Sequence, residues 1–159
     1  MSISDIIVVM KLGVVQQIGA PQEVYDSPQN LFVAKFLGTP PINVFNGSVK
    51  DGKVYIGEDA VLEVTNVPDQ EVMIGIRPEG FNLDENGPMQ CKLSNVEVMG
   101  RDVSIVSTHP ASANPDVRSI INAYNKVDTS SEIVRYSVKP HKLFLFNKET
   151  EERIYFEVK

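Results

Sequence analysis

The segment VFNGSVKDGKVYI, residues 44–56, decides the fold class. Two runs with apolar, β-branched and aromatic residues, 44–50 and 53–56, flank the dipeptide Asp51-Gly52. This dipeptide is typical of the two-residue turns that join antiparallel strands, because both central positions of such a turn need positive φ. The segment therefore predicts a β-hairpin.

Eight further runs of the same kind follow, with turn residues between them. They are residues 61–65, 72–76, 90–98, 103–108, 119–124, 133–138, 143–146 and 154–158. Ten short strands without intervening helices predict a mainly β protein with an antiparallel barrel or sandwich, and they exclude a parallel α/β sheet. Only residues 119–126 also permit a helix.

The first forty residues have a different pattern. Residues 6–10 and 14–18 are apolar runs separated by Lys11-Leu12-Gly13, which predicts a tight hairpin. An isolated two-stranded ribbon is marginally stable and exposes its edges. We therefore expect the first 18 residues to be poorly ordered or paired with another molecule.

Two short helices are predicted after this hairpin. Pro21 suits the first position of a helix that runs through residues 22–26, and Pro28 ends it. Asn30 is a suitable N-cap for a second helix over residues 31–37, whose end is marked by Gly38. The following Thr39-Pro40-Pro41 is expected to be extended, because each proline disfavours helix in the residue before it.

Composition limits the class of protein and its partners. The chain has 159 residues, of which 42% are hydrophobic and 23% charged, which is enough for one good core or two small ones. A net charge of −6 argues against nucleic-acid binding. The single Cys91 suits a reducing compartment and is expected to be a buried, inert thiol. No apolar run approaches the roughly 20 residues that cross a bilayer, and no signal-peptide pattern is present, so we expect a cytoplasmic protein.

Motifs of catalysis are absent from the sequence. It has no G-x-x-x-x-G-K-[ST], G-x-G-x-x-G, G-x-S-x-G or H-E-x-x-H. His109 and His141 are far apart, and a zinc site needs three or four converging ligands, so both are predicted to be surface or turn residues. Arg77 and Glu79 around Pro78 either bind an anion or orient an acid, or form a structural ion pair; the ion pair is the favoured interpretation. No catalytic, cofactor-binding or metal-binding residue is predicted.

A long N-terminal block resembles the ATP-binding subunits of ABC sugar importers of the maltose and sn-glycerol-3-phosphate type. Their pattern runs D-R-I-x-V-M-x-x-G, Q-x-G-x-P-x-E-[IV]-Y, P-x-N-x-F-V-A-x-F-[IL]-G and S-P-x-M-N, which correspond to residues 5–13, 17–25, 28–38 and 39–43. Downstream, residues 75–79 match G-[IV]-R-P-E, and residues 143–153 resemble L-H-L-F-D-x-E-T-G-E-R. Ile6, Thr39 and Glu152 depart from the usual Arg, Ser and Gly.

The resemblance implies a C-terminal regulatory barrel of the oligonucleotide/oligosaccharide-binding (OB) type, the TOBE domain. Residues 1–20 would be the last strands of a nucleotide-binding domain, 21–40 a helical connector, and 41–159 the barrel. The positions that match the motifs are expected to be structural, and they are Gly38, Pro40, Pro41, Asn43, Gly75, Arg77, Pro78 and Glu79.

The resemblance also implies partners. The barrel would form a homodimer, the absent nucleotide-binding domain would contact membrane permease subunits at the inner face of the membrane, and a regulatory protein is a possible further partner. ATP and Mg²⁺ would bind only the full-length subunit, because this chain lacks the Walker A, signature and Walker B motifs. The alternative is a domain that senses a small oxyanion or metabolite; an independent enzyme is a third interpretation.

Overall fold

The computed structural model describes residues 5–124 and 127–159. A hairpin and two helices open the chain: β1 (Ile7–Lys11), β2 (Val14–Gly19), α1 (Pro21–Asp26) and α2 (Leu31–Phe36). Twelve strands of the described residues follow: β3 (Asn43–Lys50), β4 (Lys53–Ile56), β5 (Asp59–Thr65), β6 (Gln70–Ile76), β7 (Phe81–Leu83), β8 (Met89–Met99), β9 (Asp102–Thr108), β10 (Val117–Asn122), β11 (Ile133–Val138), β12 (Leu143–Asn147), β13 (Arg153–Ile154) and β14 (Glu157–Val158). Short 3-10 turns, Pro78–Gly80 and Pro140–Lys142, precede β7 and β12.

The twelve strands form two antiparallel sheets around one main core. The larger sheet has the order β13-β12-β6-β3-β4-β5-β14, and the smaller has the order β10-β9-β8-β11-β7. Both contribute buried side chains to the main core, including Phe45 and Ile74 from the larger sheet and Met89 and Tyr136 from the smaller. The prediction of a mainly β protein with an antiparallel, OB-type barrel and two short N-terminal helices is confirmed.

The C-terminal strands show that the larger sheet closes on itself. β13 pairs with β12 and β14 pairs with β5, at opposite edges of the sheet, although only Tyr155 and Phe156 separate them. Seven flat strands would place these edges about 29 Å apart, whereas three residue steps span at most about 11 Å. The sheet therefore curls, and residues 154–158, predicted as one strand, divide into two short ones.

The turn at residues 51–52 has the predicted chemistry. Asp51 has φ of 52° and Gly52 of 75°, and Lys50 pairs with Lys53 across the turn. Positive φ at both central residues is typical of the type I′ turn, whose twist matches that of the strands. The predicted hairpin is confirmed.

Strand β12 places α2 on the outer face of the larger sheet. Its first four residues, Leu-Phe-Leu-Phe, are all buried, with Leu143 and Leu145 in the main core. The alternate residues, Phe144 and Phe146, pack on the other face in a cluster with Leu31 and Ala34 of α2 and with Ile42 and Val44. Burial on both faces explains the continuous apolar run, because side chains alternate along a strand.

The hairpin β1–β2 packs on the helices of its own chain. Val9 is fully buried against Val24 and Val33, and Gln17 donates from Nε2 to the carbonyl of Ser27 at 3.1 Å. Residues 5–18 thus form a hairpin packed on their own chain, where poor order or pairing with another molecule was expected. Residues 1–4 lie outside the described part. The outer face stays exposed and carries Ile6, Val8, Met10, Val15 and Ile18, and Leu12 and Val14 are exposed at the turn end of the hairpin.

Other details differ from the sequence predictions. Strand β7, only three residues long, was not predicted. The ambiguous stretch 119–126 contains most of β10, and its residues 125 and 126 lie outside the described part. In the described residues, no helix has the length and apolar character needed to cross a membrane.

Candidate functional site at the joint between helices and barrel

Arg77 lies where β6 meets both helices, and only 1% of its surface is exposed. Its Nη1 donates to the carbonyls of Ala34 at 2.8 Å and Leu37 at 3.0 Å, and its Nη2 donates to the carbonyl of Tyr25 at 2.8 Å. These carbonyls belong to the last turns of α1 and α2, where helix carbonyls have no intrahelical donor. One side chain of the barrel thus caps both helices.

Tyr25 and Glu79 complete this contact. The Arg77 guanidinium stacks over the Tyr25 ring at 4.0 Å from its centroid, and the Tyr25 hydroxyl donates to the Glu79 carboxylate at 2.6 Å. Among the described residues, Glu79 has its ion pair with Lys142, whose Nζ is 3.8 Å away. The predicted ion pair between Arg77 and Glu79 is not formed, because the guanidinium nitrogens face the helix carbonyls.

Burial shifts the pKa values of Arg77 and Tyr25 in opposite directions. It lowers the pKa of the Arg77 guanidinium, which nevertheless stays charged at physiological pH. Burial, followed by the hydrogen bond to Glu79, raises the pKa of the Tyr25 hydroxyl and keeps it a donor. The contact is therefore a fixed set of donors and acceptors at neutral pH.

Two glycines let the segments at this joint approach closely. Gly38 has φ of 109°, and an added Cβ would lie 3.2 Å from the Tyr25 ring. An added Cβ at Gly75 would lie 2.8 Å from the Ile42 side chain and 3.2 Å from the Phe146 ring. A larger residue at position 38 would press on Tyr25 of α1, and one at position 75 would displace Ile42 or Phe146, which pack in the cluster with α2.

The three prolines of the motifs lie at the same joint. The Thr39–Pro40 peptide bond is cis. Pro40 is half-buried and Pro41 is exposed on the path from α2 into β3. Pro78 is buried and begins the 3-10 turn that directly follows Arg77.

Asn43 connects the two sheets at the start of β3. Its Nδ2 donates to the carbonyls of Ile76 at 3.1 Å and Arg118 at 2.8 Å, and its Oδ1 accepts from the Arg118 amide at 2.8 Å. Because Arg118 lies on β10, an edge strand, the side-chain amide takes the place of a neighbouring strand there. All eight residues singled out by the motifs thus lie at or beside one joint.

Arg153 is a second arginine that holds the helical segment. Its Nη1 donates to the carbonyl of Pro28 at 3.0 Å, and its amide donates to the carbonyl of Gln29 at 3.0 Å. The guanidinium lies between the rings of Phe144 and Tyr155, at 4.6 and 4.7 Å from their centroids. Burial lowers its pKa. Sequence reasoning missed the roles of Arg153 and Tyr25, although both lie within segments that carry the family resemblance.

The two histidines and the cysteine lie away from this joint. His141 is exposed in a 3-10 turn, as predicted. His109, predicted to be a surface or turn residue, lies at a turn, because its carbonyl accepts from the Ser112 amide, but its side chain is only 4% exposed. Its Nε2 contacts Asp59 Oδ2 at 2.9 Å and its Nδ1 accepts from the Ala111 amide. Cys91 is buried, which raises the pKa of its thiol to about 12.

The side chains at the joint hold the helical segment and the barrel together. Arg77 and Arg153 donate to backbone carbonyls, and the Glu79 carboxylate accepts from the Tyr25 hydroxyl. Among these residues, no nucleophile lies beside a base. In residues 5–124 and 127–159, no three His, Cys, Asp or Glu side chains converge as metal ligands would.

The chain matches no protein-family model. It is similar over nearly its whole length to ATP-binding proteins of ABC transporters. A putative ABC transporter ATP-binding protein of Mycoplasma genitalium is 36% identical over 157 residues, which cover 97% of this chain and 26% of the relative. The oligosaccharides import ATP-binding protein MsmX of Bacillus subtilis is 34% identical and covers 93% of this chain and 44% of the relative.

A third relative is the sn-glycerol-3-phosphate import ATP-binding protein UgpC of a Ruegeria species, 30% identical over 97% of this chain and 43% of the relative. The chain therefore spans between about a quarter and somewhat less than half of the length of the curated relatives it matches. Its homologues are ATP-binding proteins of ABC importers, and the chain corresponds to one part of them.

Proposed function

We propose that the chain is the regulatory and dimerisation domain of the ATP-binding subunit of a sugar-type ABC importer and is non-catalytic by itself. The observation that carries this proposal is the alignment of 93–97% of the chain with only 26–44% of such proteins. The names of two relatives refer to import of oligosaccharides and of sn-glycerol-3-phosphate, which supports a sugar or a related polyol derivative as the substrate class.

The exposed face of the β1–β2 hairpin fits the proposed division of the subunit. Residues 1–20 would be the last strands of the nucleotide-binding domain, 21–40 the connector, and 41–159 the TOBE barrel. Ile6 is 72% exposed on a face that a larger sheet would cover. Exposed apolar patches of this kind are typical of protein contacts. We infer that the nucleotide-binding domain packs on this face.

The whole subunit would work at the cytoplasmic face of the membrane. Its nucleotide-binding domain would bind ATP and Mg²⁺ and contact the permease subunits. The barrel of this chain would pair with its counterpart in a second subunit and hold the two ATPase domains together, and a regulatory protein would be a further partner. The net charge of −6 supports protein partners over nucleic acid.

The joint suggests how the barrel would move together with the rest of the subunit. Arg77 and Arg153 bond the carbonyls of both helical segments, and Gln17 bonds the hairpin to the same helices. Hairpin, helices and barrel are thereby held as one body. A movement of the nucleotide-binding domain would then be transmitted to the barrel through this joint.

The mass of the native polypeptide tests the proposal. An antibody raised against this chain should detect a protein of at least about twice 17.6 kDa in the source cells, as a second domain requires. The same antibody should recover permease subunits from detergent-solubilised membranes. A native band at 17.6 kDa without permease subunits would contradict the proposal.

Dimerisation needs a separate measurement. Sedimentation of the purified chain should give a mass that rises towards that of a dimer with concentration. If the chain stays monomeric at every concentration up to about 1 mM, dimerisation through this domain is contradicted, because a dissociation constant above that value is a very weak affinity.

A further inference from the structure

A depression of about 390 Å³ lies between α2, the start of β3 and the segment that leads into β10. We call it the joint depression. It is lined by Lys35, Pro41, Ile42, Asn43, Val44, Asn114, Pro115, Asp116 and Arg118. Its volume is in the range of small-ligand sites, and its residues come from three separate segments of the chain.

Two cations without partners line this depression. Lys35 is exposed on the last turn of α2, and Arg118 is exposed on β10. In the part of the chain that the structure describes, neither side chain has a hydrogen bond, an ion pair or a ring contact. Both line the same depression, where the two cations outnumber the single carboxylate of Asp116, in a chain whose net charge is −6.

The backbone that presents each cation is fixed by a motif residue. Asn43 bonds both the amide and the carbonyl of Arg118, each at 2.8 Å. Arg77 bonds the carbonyl of Ala34, the residue before Lys35. A site whose supporting backbone is held in this way needs little reorganisation to bind a ligand.

The depression also offers groups that bind hydroxyls. Asp116 lines it with a carboxylate, and Asn114 lines it with a side-chain amide. Neither side-chain group has a partner among the described residues. Arg and Lys bind phosphate oxygens, whereas a carboxylate accepts hydrogen bonds from hydroxyls.

We propose that the joint depression binds a small polyhydroxylated anion, of which a sugar phosphate is the chemical class that fits. Its phosphate contacts Lys35 and Arg118, and its hydroxyls contact Asp116 and Asn114. Such a ligand would bridge the connector helix and the barrel and would stabilise their contact by binding only the folded joint. The site does not depend on the proposed function, because every residue in it belongs to this chain.

Calorimetric titration of the purified chain tests the site, with glucose 6-phosphate, inorganic phosphate and glucose as probes. Glucose 6-phosphate should bind at least about tenfold more tightly than phosphate, and glucose should not bind. Lys35→Gln and Arg118→Gln should each weaken glucose 6-phosphate binding by at least about tenfold. Asp116→Asn should reduce the preference for glucose 6-phosphate over phosphate.

Matched variants control for the change in charge. Lys148→Gln and Arg101→Gln remove exposed cations elsewhere on the surface and should leave both affinities unchanged. Circular dichroism confirms that each variant is folded. Absence of binding by either phosphate compound at about 10 mM would overturn the proposal. Equal losses of affinity in the control variants would also overturn it, because they would indicate a non-specific attraction between surface cations and the anion.

Discussion

Replacement of Arg77 by methionine tests whether the guanidinium holds the helices to the barrel. The buried carbonyl of Ala34 loses its donor, which costs about 1–3 kcal/mol. The carbonyls of Leu37 and Tyr25 are partly exposed, so water replaces the donor at a cost of about 0.5–1 kcal/mol each. Loss of the cation over the Tyr25 ring adds about 0.5–1 kcal/mol.

One effect of the substitution is favourable. Methionine keeps the apolar stem and removes the desolvation cost of a buried charge, whose Nε has no partner among the described residues. We therefore expect Arg77→Met to lower the free energy of unfolding by about 2–3 kcal/mol, below the full sum of the lost contacts. Arg77→Lys should restore less than half, because one ammonium does not reach carbonyls at the ends of two helices.

Urea unfolding followed by far-UV circular dichroism measures the loss, and amide hydrogen exchange locates it. The Val24 and Ala34 amides, which bond within α1 and α2, should exchange faster in the variant, while amides of the main core should not. Arg101→Met, at an exposed arginine, is the control and should change stability by less than about 0.5 kcal/mol. A loss below about 1 kcal/mol with unchanged exchange would show that apolar packing alone holds the helices.

Four further substitutions are tested by the same unfolding assay. Asn43→Asp keeps the shape but replaces a donor that faces two carbonyls, and should cost about 2–4 kcal/mol; a loss below about 1 kcal/mol would refute its bridging role. The Cys91 thiol, with its pKa raised by burial to about 12, stays protonated in the folded chain while the unfolded chain ionises above about pH 8.5. The stabilising effect of the protonated Cys91 thiol is therefore complete at pH 7 and falls as pH rises. In Cys91→Ala, the free energy of unfolding should decline less steeply between pH 9 and 11, by up to about 1.4 kcal/mol per pH unit; an unchanged slope would contradict this. Gly75→Ala should cost about 1–3 kcal/mol because the flexible Ile42 side chain can yield, and Gly47→Ala should cost more because its Cβ would collide with the backbone of β4; the reverse order would refute this reasoning.

Local signals in the sequence predicted most of the fold. The 51–52 turn, the Asn30 cap and the proline at the start of α1 depend on residues within a few positions of one another. Their chemistry is therefore visible in a single segment. The strands Lys53–Ile56 and Ile133–Val138 were predicted with the bounds they have in the structure.

Contacts at the joint were less accessible to sequence reasoning. The ion pair was predicted between Arg77 and Glu79 because they are neighbours in sequence, whereas the partners of Arg77 lie 40 to 52 residues away. Asn43 and Arg118 are 75 residues apart. The pairing of the C-terminal residues with two different strands depends on closure of the sheet, which local patterns do not encode.

The positions of the two arginines limit where the proposed subunit can flex. Arg77 bonds the ends of both helices, Arg153 bonds the segment between them, and Gln17 ties the hairpin to that segment. A hinge within this body would break several of these hydrogen bonds at once, at about 1 kcal/mol or more for each. In the proposed subunit, a hinge within the joint is therefore disfavoured, and a movement of the ATPase domain would be passed through the joint to the barrel. A ligand in the joint depression would make this joint stiffer still, because it would contact both α2 and β10.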